Sequence, residues 1–146
     1  MTLAAILTAS LLAQELQCAS QISFYEARGE ETYAAKVAPV IVARNRVLSD
    51  DFPDSFCEVM LQDRQFAFVT NGLHLQGIDD GIIAQEAWEV AQQAAQDVLQ
   101  MPVHDFQRPM KNALYFHSGE TPAWDLNKIE KVVKIGGHSF YKEVTD

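Results

Sequence analysis

The chain opens with an uninterrupted helix-forming run from about Thr2 to Ala27, and the place where that run stops constrains everything after it. Within it Leu12, Leu16, Ala19 and Ile22 recur at three- and four-residue intervals, so they share one face of a helix. Four residues further along the row stands Glu26, and four beyond that Glu30. Glu26 therefore lies on or beside the buried stripe, whereas Glu30 follows Gly29, a residue suited to ending a helix. An acid pressed against apolar surface holds its proton to higher pH, which is the environment of a general acid. The alternative here is a carboxylate pinned by Arg28 at a helix terminus, and spacing alone leaves both open.

With 146 residues, 48% of them apolar, the chain can bury one core, so residues 1 to 146 are expected to form a single domain. A net charge of -9 and the absence of any Lys/Arg run argue against nucleic acid as a partner. A neutral or carbohydrate ligand is more compatible. Residues Leu3 to Leu12 are apolar, but the run is too short to span a bilayer and has no positive residue before it. It merges into the amphipathic pattern and is expected to be the first helix, with no convincing signal peptide and no membrane span. The two cysteines, Cys18 and Cys57, fit no zinc spacing; they are either a disulfide or two unrelated buried thiols.

A second helical pattern opens at Thr32 as N-cap, with a stripe of Ala34, Ala38, Ile41 and Asn45. Asn45 thus faces inward, to meet either the carboxylates after Tyr25 or loop backbone. Pro39 should kink this helix or remove a ladder bond. Ser55 or Asp54 can cap a short helix through Cys57, Val59 and Met60. Gln65-Phe66-Ala67-Phe68 alternates like a short strand or an extended cleft segment. Its rings suit pyranose faces and its amide suits hydroxyls, although core residues would look the same. From Asp80 to Leu99 the pattern Ile83, Ala87, Val90 or Ala91, Ala94, Val98 is helical again. The run Ala113 to His117 suits a buried strand, and Val132 to Tyr141 reads as two strands around Gly136-Gly137. Helices first and a small antiparallel sheet in the C-terminal third make an α+β chain.

Histidines stand at positions 74, 104, 117 and 138, none paired at helical spacing, so a metal site would need distant ligands and none is expected. His117 and His138, flanked by aromatics, read as hydrogen-bonding residues of a packed sheet or cleft wall. No P-loop, Rossmann or nucleophile-elbow glycine pattern occurs, and no cofactor is expected. Cys57 is a poor nucleophile candidate, because Phe56, Glu58 and Val59 would raise a thiol pKa.

Several islands together resemble the SleB/CwlJ family of bacterial cell wall hydrolases. They are Tyr25-Glu26-Ala27-Arg28-Gly29-Glu30, Asn45-Arg46-Val47, Phe52-Pro53 with Cys57 and Val59, and Gln65-Phe66. Ala113 to His117 with Pro122 and Trp124, and Gly136 to Tyr141, complete the set in the family's order. The resemblance implies a mainly helical core similar to lysozyme-like lytic transglycosylases, and cleavage of peptidoglycan between N-acetylmuramic acid and N-acetylglucosamine. It makes Glu26 the catalytic acid and Asn45, Gln65, Phe66, Tyr115, His117 and Trp124 candidates for binding the glycan. Arg28 and Glu30 look like structural motif residues that fix the backbone through an ion pair. Cysteines matching Cys18 and Cys57 recur in relatives from Gram-negative bacteria, which favours a bond between them. The chain departs from the family's pattern in Glu31, Thr32 and Tyr33 after the motif, in Pro39, and in a Glu26 to Asn45 interval one residue longer.

The mechanism implied needs one carboxylate: Glu26 donates a proton to the glycosidic oxygen, then accepts one from the C6 hydroxyl of the muramic acid ring, leaving an anhydro end. A hydrolase would need a second carboxylate, for which Asp63, Glu120 and Asp125 are candidates. Two rival readings are a zinc amidase using His117 and His138, and a non-catalytic glycan-binding module. The expected place of action is the bacterial cell wall, reached as a phage endolysin or as a periplasmic enzyme, and the expected state is monomeric.

Overall fold

The structure, a computed structural model, describes residues 3–62, 65–78, 81–101, 110–119 and 127–144, with side chains from Ala9 onward. Helix α1 spans Leu3–Ala27. It ends where expected: the Glu30 N–H donates to the Ala27 carbonyl at 3.0 Å, closing a turn over Gly29. Helix α2 spans Tyr33–Val47 and is capped by Thr32, whose hydroxyl accepts from the Ala35 N–H at 3.2 Å. Pro39 is accommodated inside this one continuous helix, where it is buried. Helices α3 (Phe56–Leu61) and α4 (Ala67–Thr70) are short, a 3-10 turn covers Leu73–Leu75, and α5 spans Ile82–Gln100. Three strands follow, β1 (Tyr115–Ser118), β2 (Ile129–Ile135) and β3 (His138–Glu143). They form an antiparallel sheet in the order β1-β3-β2, with a bulge between Lys131 and Val133. The α+β architecture is thus the expected one.

Helices α1, α2 and α5 meet over small residues. Ala19, Ala38, Ala91, Ala94 and Ala95 are buried, which lets the backbones approach closely around Ile22, Val42 and Val98. Ser20 and Ser23 are buried with them because each hydroxyl donates to a backbone carbonyl, of Leu16 at 2.6 Å and of Lys36 at 2.8 Å. The Ser23 bond crosses from α1 to α2 and holds the end of α1 in place. A disulfide joins Cys18 to Cys57 and so staples α1 to α3. Beside it, Glu15 accepts the N–H of Phe56 at 2.6 Å and of Cys57 at 3.3 Å. That places a carboxylate on the α3 N-terminus, where Ser55 also caps.

Four expectations change. On α2, Ala34 is exposed and Ala35 is buried in its place. Gln65 to Phe68 is not a strand: Phe66 is extended as the N-cap of α4, and both phenylalanines still reach the core from either side of that boundary. The α5 stripe holds Ala91, Ala94 and Val98 as expected but takes Ala84 in place of Ile83 and adds Ala95, leaving Ile83 79% exposed and Ala87 half-buried. Close alanine packing outweighs the larger side chain there. Leu12 is also exposed, so the buried stripe of α1 begins nearer Leu16. Trp124, His104, Pro122 and the candidate carboxylates Asp63, Glu120 and Asp125 lie outside the described residues. Among the described residues no helix is long and apolar enough to cross a membrane.

Candidate active site

The end of α1 faces a cavity of about 390 Å³. Glu26 comes from α1, Arg46 from the end of α2, and Gln65 and Ala67 from the segment entering α4. Strand β1 supplies Tyr115, Phe116, His117 and Ser118, and β3 supplies His138. Five separate stretches of sequence thus converge on one cavity.

Glu26 is half-buried, and among the described residues its carboxylate makes no hydrogen bond or ion pair. Burial alone pushes its pKa up to about 7. Its neighbours explain why. Ala27 and Phe24 are buried on the same helical turns, and Tyr25 is stacked on Phe68 at 4.8 Å with its hydroxyl donating to the Leu73 carbonyl at 3.1 Å. Gln21 adds a bond to the His74 carbonyl at 3.0 Å. These contacts fix the last turns of α1 against the 3-10 turn and α4, so the Glu26 side chain is presented from a rigid element.

Glu30 does something else. Its carboxylate accepts the Gly137 N–H at 3.1 and 3.2 Å and lies 3.6 Å from His138 Nδ1, beyond hydrogen-bond distance. The turn between β2 and β3 is shaped around it. Gly136 has φ of +58°, and a Cβ there would sit 2.3 Å from Glu30 Oε2. The expected ion pair between Arg28 and Glu30 is therefore not formed. Arg28 instead lies over the Phe24 ring, 4.7 Å from its centroid. Glu30 joins the end of α1 to the hairpin that carries His138 into the cavity. Burial and nearby His117 hold His138 below the usual imidazole pKa against the opposing pull of Glu30, so His138 is neutral near pH 7.

Of the proposed binding residues, Gln65, Tyr115 and His117 line the cavity with Glu26. Asn45 and Phe66 do not. The Asn45 amide is buried and donates to the Met110 carbonyl at 2.8 Å and to the Ala113 carbonyl at 2.9 Å. It anchors the approach to β1, as an inward amide on a helix facing loop backbone must. Phe66 is in the core, tilted against Phe116 at 6.2 Å, so it backs the ring that faces the cavity. Sequence reasoning missed Arg46; His138, read as part of a packed sheet or a cleft wall, lines the cavity. The signal for Arg46 was present: it stands four residues after Val42 on the buried face of α2, where a cation is out of place. Among the described residues no group of three or more His, Cys, Asp or Glu side chains could hold a metal ion.

The family model described as Cell Wall Hydrolase matches residues 30–141, beginning at Glu30 and leaving Glu26 just outside the matched span. Among solved structures, the chain is similar to the catalytic domain of the germination-specific lytic transglycosylase SleB from Bacillus anthracis. The identity is 26%, covering 88% of this chain and 93% of that one, with a TM-score of 0.66. The catalytic domain of the Bacillus cereus SleB protein is similar at the same identity and TM-score, covering 88% of this chain and 89% of that one. No curated protein sequence matches significantly. A family match over most of the chain, with the same fold in two solved catalytic domains, means that this chain belongs to the SleB/CwlJ-type family of cell wall hydrolases.

Proposed function

We propose that the chain is a single catalytic domain, monomeric, that cleaves the glycan strand of peptidoglycan outside the cytoplasm with Glu26 as its one acid-base group. The observation that carries this is a carboxyl without a partner among the described residues, its proton held to about pH 7 by burial, at the wall of a saccharide-sized cavity. In the first half-reaction the protonated Glu26 donates to the glycosidic oxygen as positive charge develops on the muramic acid ring. In the second the carboxylate takes the proton of that sugar's C6 hydroxyl, whose oxygen bonds to C1. The balance closes without water and yields a 1,6-anhydro end.

The aromatic faces of Tyr115 and Phe116 suit a pyranose ring, and Gln65, His117 and neutral His138 offer hydrogen bonds to its hydroxyl and acetamido groups. General acid-base assistance supplies about 10²–10⁴-fold, so placement and distortion of the sugar in the cavity must supply the rest. Mass spectrometry of purified peptidoglycan after digestion tests the proposal. Anhydro ends are expected, lighter by one water than reducing ends. Reducing ends would require a second carboxylate, and release of stem peptides from intact glycan would replace this reading by that of an amidase.

A further inference from the structure

Arg46 is the one cavity residue whose charge the fold leaves unanswered among the described residues. The residue is 4% exposed, its Nε donates to the Leu114 carbonyl at 2.8 Å, and its Nη1 is buried without a hydrogen-bond partner. The guanidinium lies over Phe52, Tyr115 and Phe66, at 5.1, 5.7 and 5.9 Å from their centroids. Ring faces attract a cation but carry no net charge to neutralise it. No carboxylate stands within ion-pair distance of it among the described residues, although the chain has 20 Asp and Glu against 11 Lys and Arg. Burial lowers its pKa only to about 10, so it stays charged near neutral pH. Nor is it the counter-ion of Glu26, whose shift comes from burial alone.

A buried cation with an unused donor is costly unless something else completes it. We propose that Arg46 is a specificity-determining residue that binds a carboxylate of the muramoyl unit while Glu26 acts on the glycosidic bond. This rests on the peptidoglycan reading above. N-acetylglucosamine has no ionisable group, so the carboxylate must come from the muramoyl side. It is either the free lactyl carboxylate of a strand already stripped of its stem peptide, or a carboxylate of the stem itself. A planar guanidinium matches a carboxylate better than it matches a lone carbonyl. Such a contact would also set the register of the strand, putting a muramoyl ring at the acid.

The test measures binding to the Glu26→Gln variant, which leaves the ligand intact, by calorimetry. Three short N-acetylglucosamine–N-acetylmuramic acid oligomers are compared: one with free lactyl carboxylates, one with those groups as primary amides, and one bearing stem peptides. The free acid is expected to bind about ten- to a hundred-fold more tightly than the amide, the range of a charge-assisted bond. Equal or tighter binding of the stem-bearing oligomer, lost when its peptide carboxylates are amidated, assigns the contact to the stem. Binding of all forms within about two-fold of one another overturns the proposal while leaving the glycosidase reading intact, and no binding of any form overturns both. In Arg46→Gln, which can still donate to the Leu114 carbonyl, the preference for the acid should vanish. A folded Arg46→Gln variant that keeps the preference also overturns the proposal, and if the variant does not fold the three-ligand comparison decides alone.

Discussion

Glu26 and Glu30 stand four residues apart in one short motif, yet the fold treats them oppositely. Glu30 is spent on structure: a backbone N–H donates to it, a glycine turn makes room for it, and a histidine stands beside it. Glu26 faces a cavity with no partner among the described residues and holds its proton up to about pH 7. The helix ends between them, and that is the cause. Glu26 is still held by the last turn of α1, against Phe24 and the packed Tyr25, whereas Glu30 lies past Gly29 and can swing to the hairpin. An acid is useful in catalysis where hydrogen bonds have been withheld from it.

The strongest way to break this contrast is to make Glu26 unable to give a proton. Glu26→Gln is expected to lower release of soluble glycan from peptidoglycan by at least about 10²–10⁴-fold, measured by muropeptide chromatography. Its melting temperature should not fall, since no hydrogen bond of Glu26 is lost. A variant with normal activity would pass the catalytic role elsewhere, with the carboxylates at 63, 120 and 125 next in line.

Much of this arrangement was legible in the sequence, for physical reasons that differ by element. The α1 row runs through Ile22 to Glu26 because helical period and burial agree there, so the period alone sets the acid on the apolar edge. The β2–β3 hairpin was legible because a glycine pair between two apolar runs leaves few alternatives. What could not be read was which of two neighbours lines the cavity. Phe66 and the cavity residues either side of it differ by one position, as do Asn45 and Arg46, which are both buried, and long-range packing decides which of each pair faces the cavity. The partner of Glu30 was equally hidden, because residues 30 and 137 meet only once the sheet has packed against α2.

A second effect, somewhat smaller, concerns pH. The carboxyl of Glu26 moves from an ordinary value of 4.5 in the unfolded chain to about 7 in the folded one. Between those values the folded state binds more proton than the unfolded state, so stability falls as pH rises from about 4.5 to about 7 and then levels off. A shift of this size corresponds to about 3 kcal/mol. Glu26→Gln should remove that slope, leaving the variant more stable than the parent at pH 8 by up to this amount in denaturant titrations. Cleavage by the parent should fall as pH rises through about 7, because the acid must enter the reaction protonated. A pH-stability profile identical in the two proteins would mean that Glu26 is solvated after all.

Weaker still should be the removal of Glu30. Glu30→Ala deletes a charged acceptor from the Gly137 N–H at a partly buried site, at a cost of about 1.5–3 kcal/mol. Activity should decline through the loosened hairpin and His138, with kcat affected and the Glu26 pH limb unmoved. A pH limb that shifts in Glu30→Ala would show that the two carboxylates are not independent.

The finest test is the coupling between Glu30 and the turn that receives it. Gly136→Ala forces a side chain into positive φ, worth about 1–2 kcal/mol, and drives its methyl against Glu30 Oε2. In a chain that already carries Glu30→Ala the second penalty has no atom to act on, and only the backbone strain and the 3.0 Å approach to Ala35 remain. The double variant should therefore be more stable than the sum of the two singles predicts, by on the order of 1 kcal/mol. Gly137→Ala lacks the positive φ and meets Oε1 at 2.9 Å, so it should show the same coupling with a smaller cost of its own. Strict additivity at both glycines would mean that the turn is shaped by the hairpin alone, and that Glu30 merely lies against it.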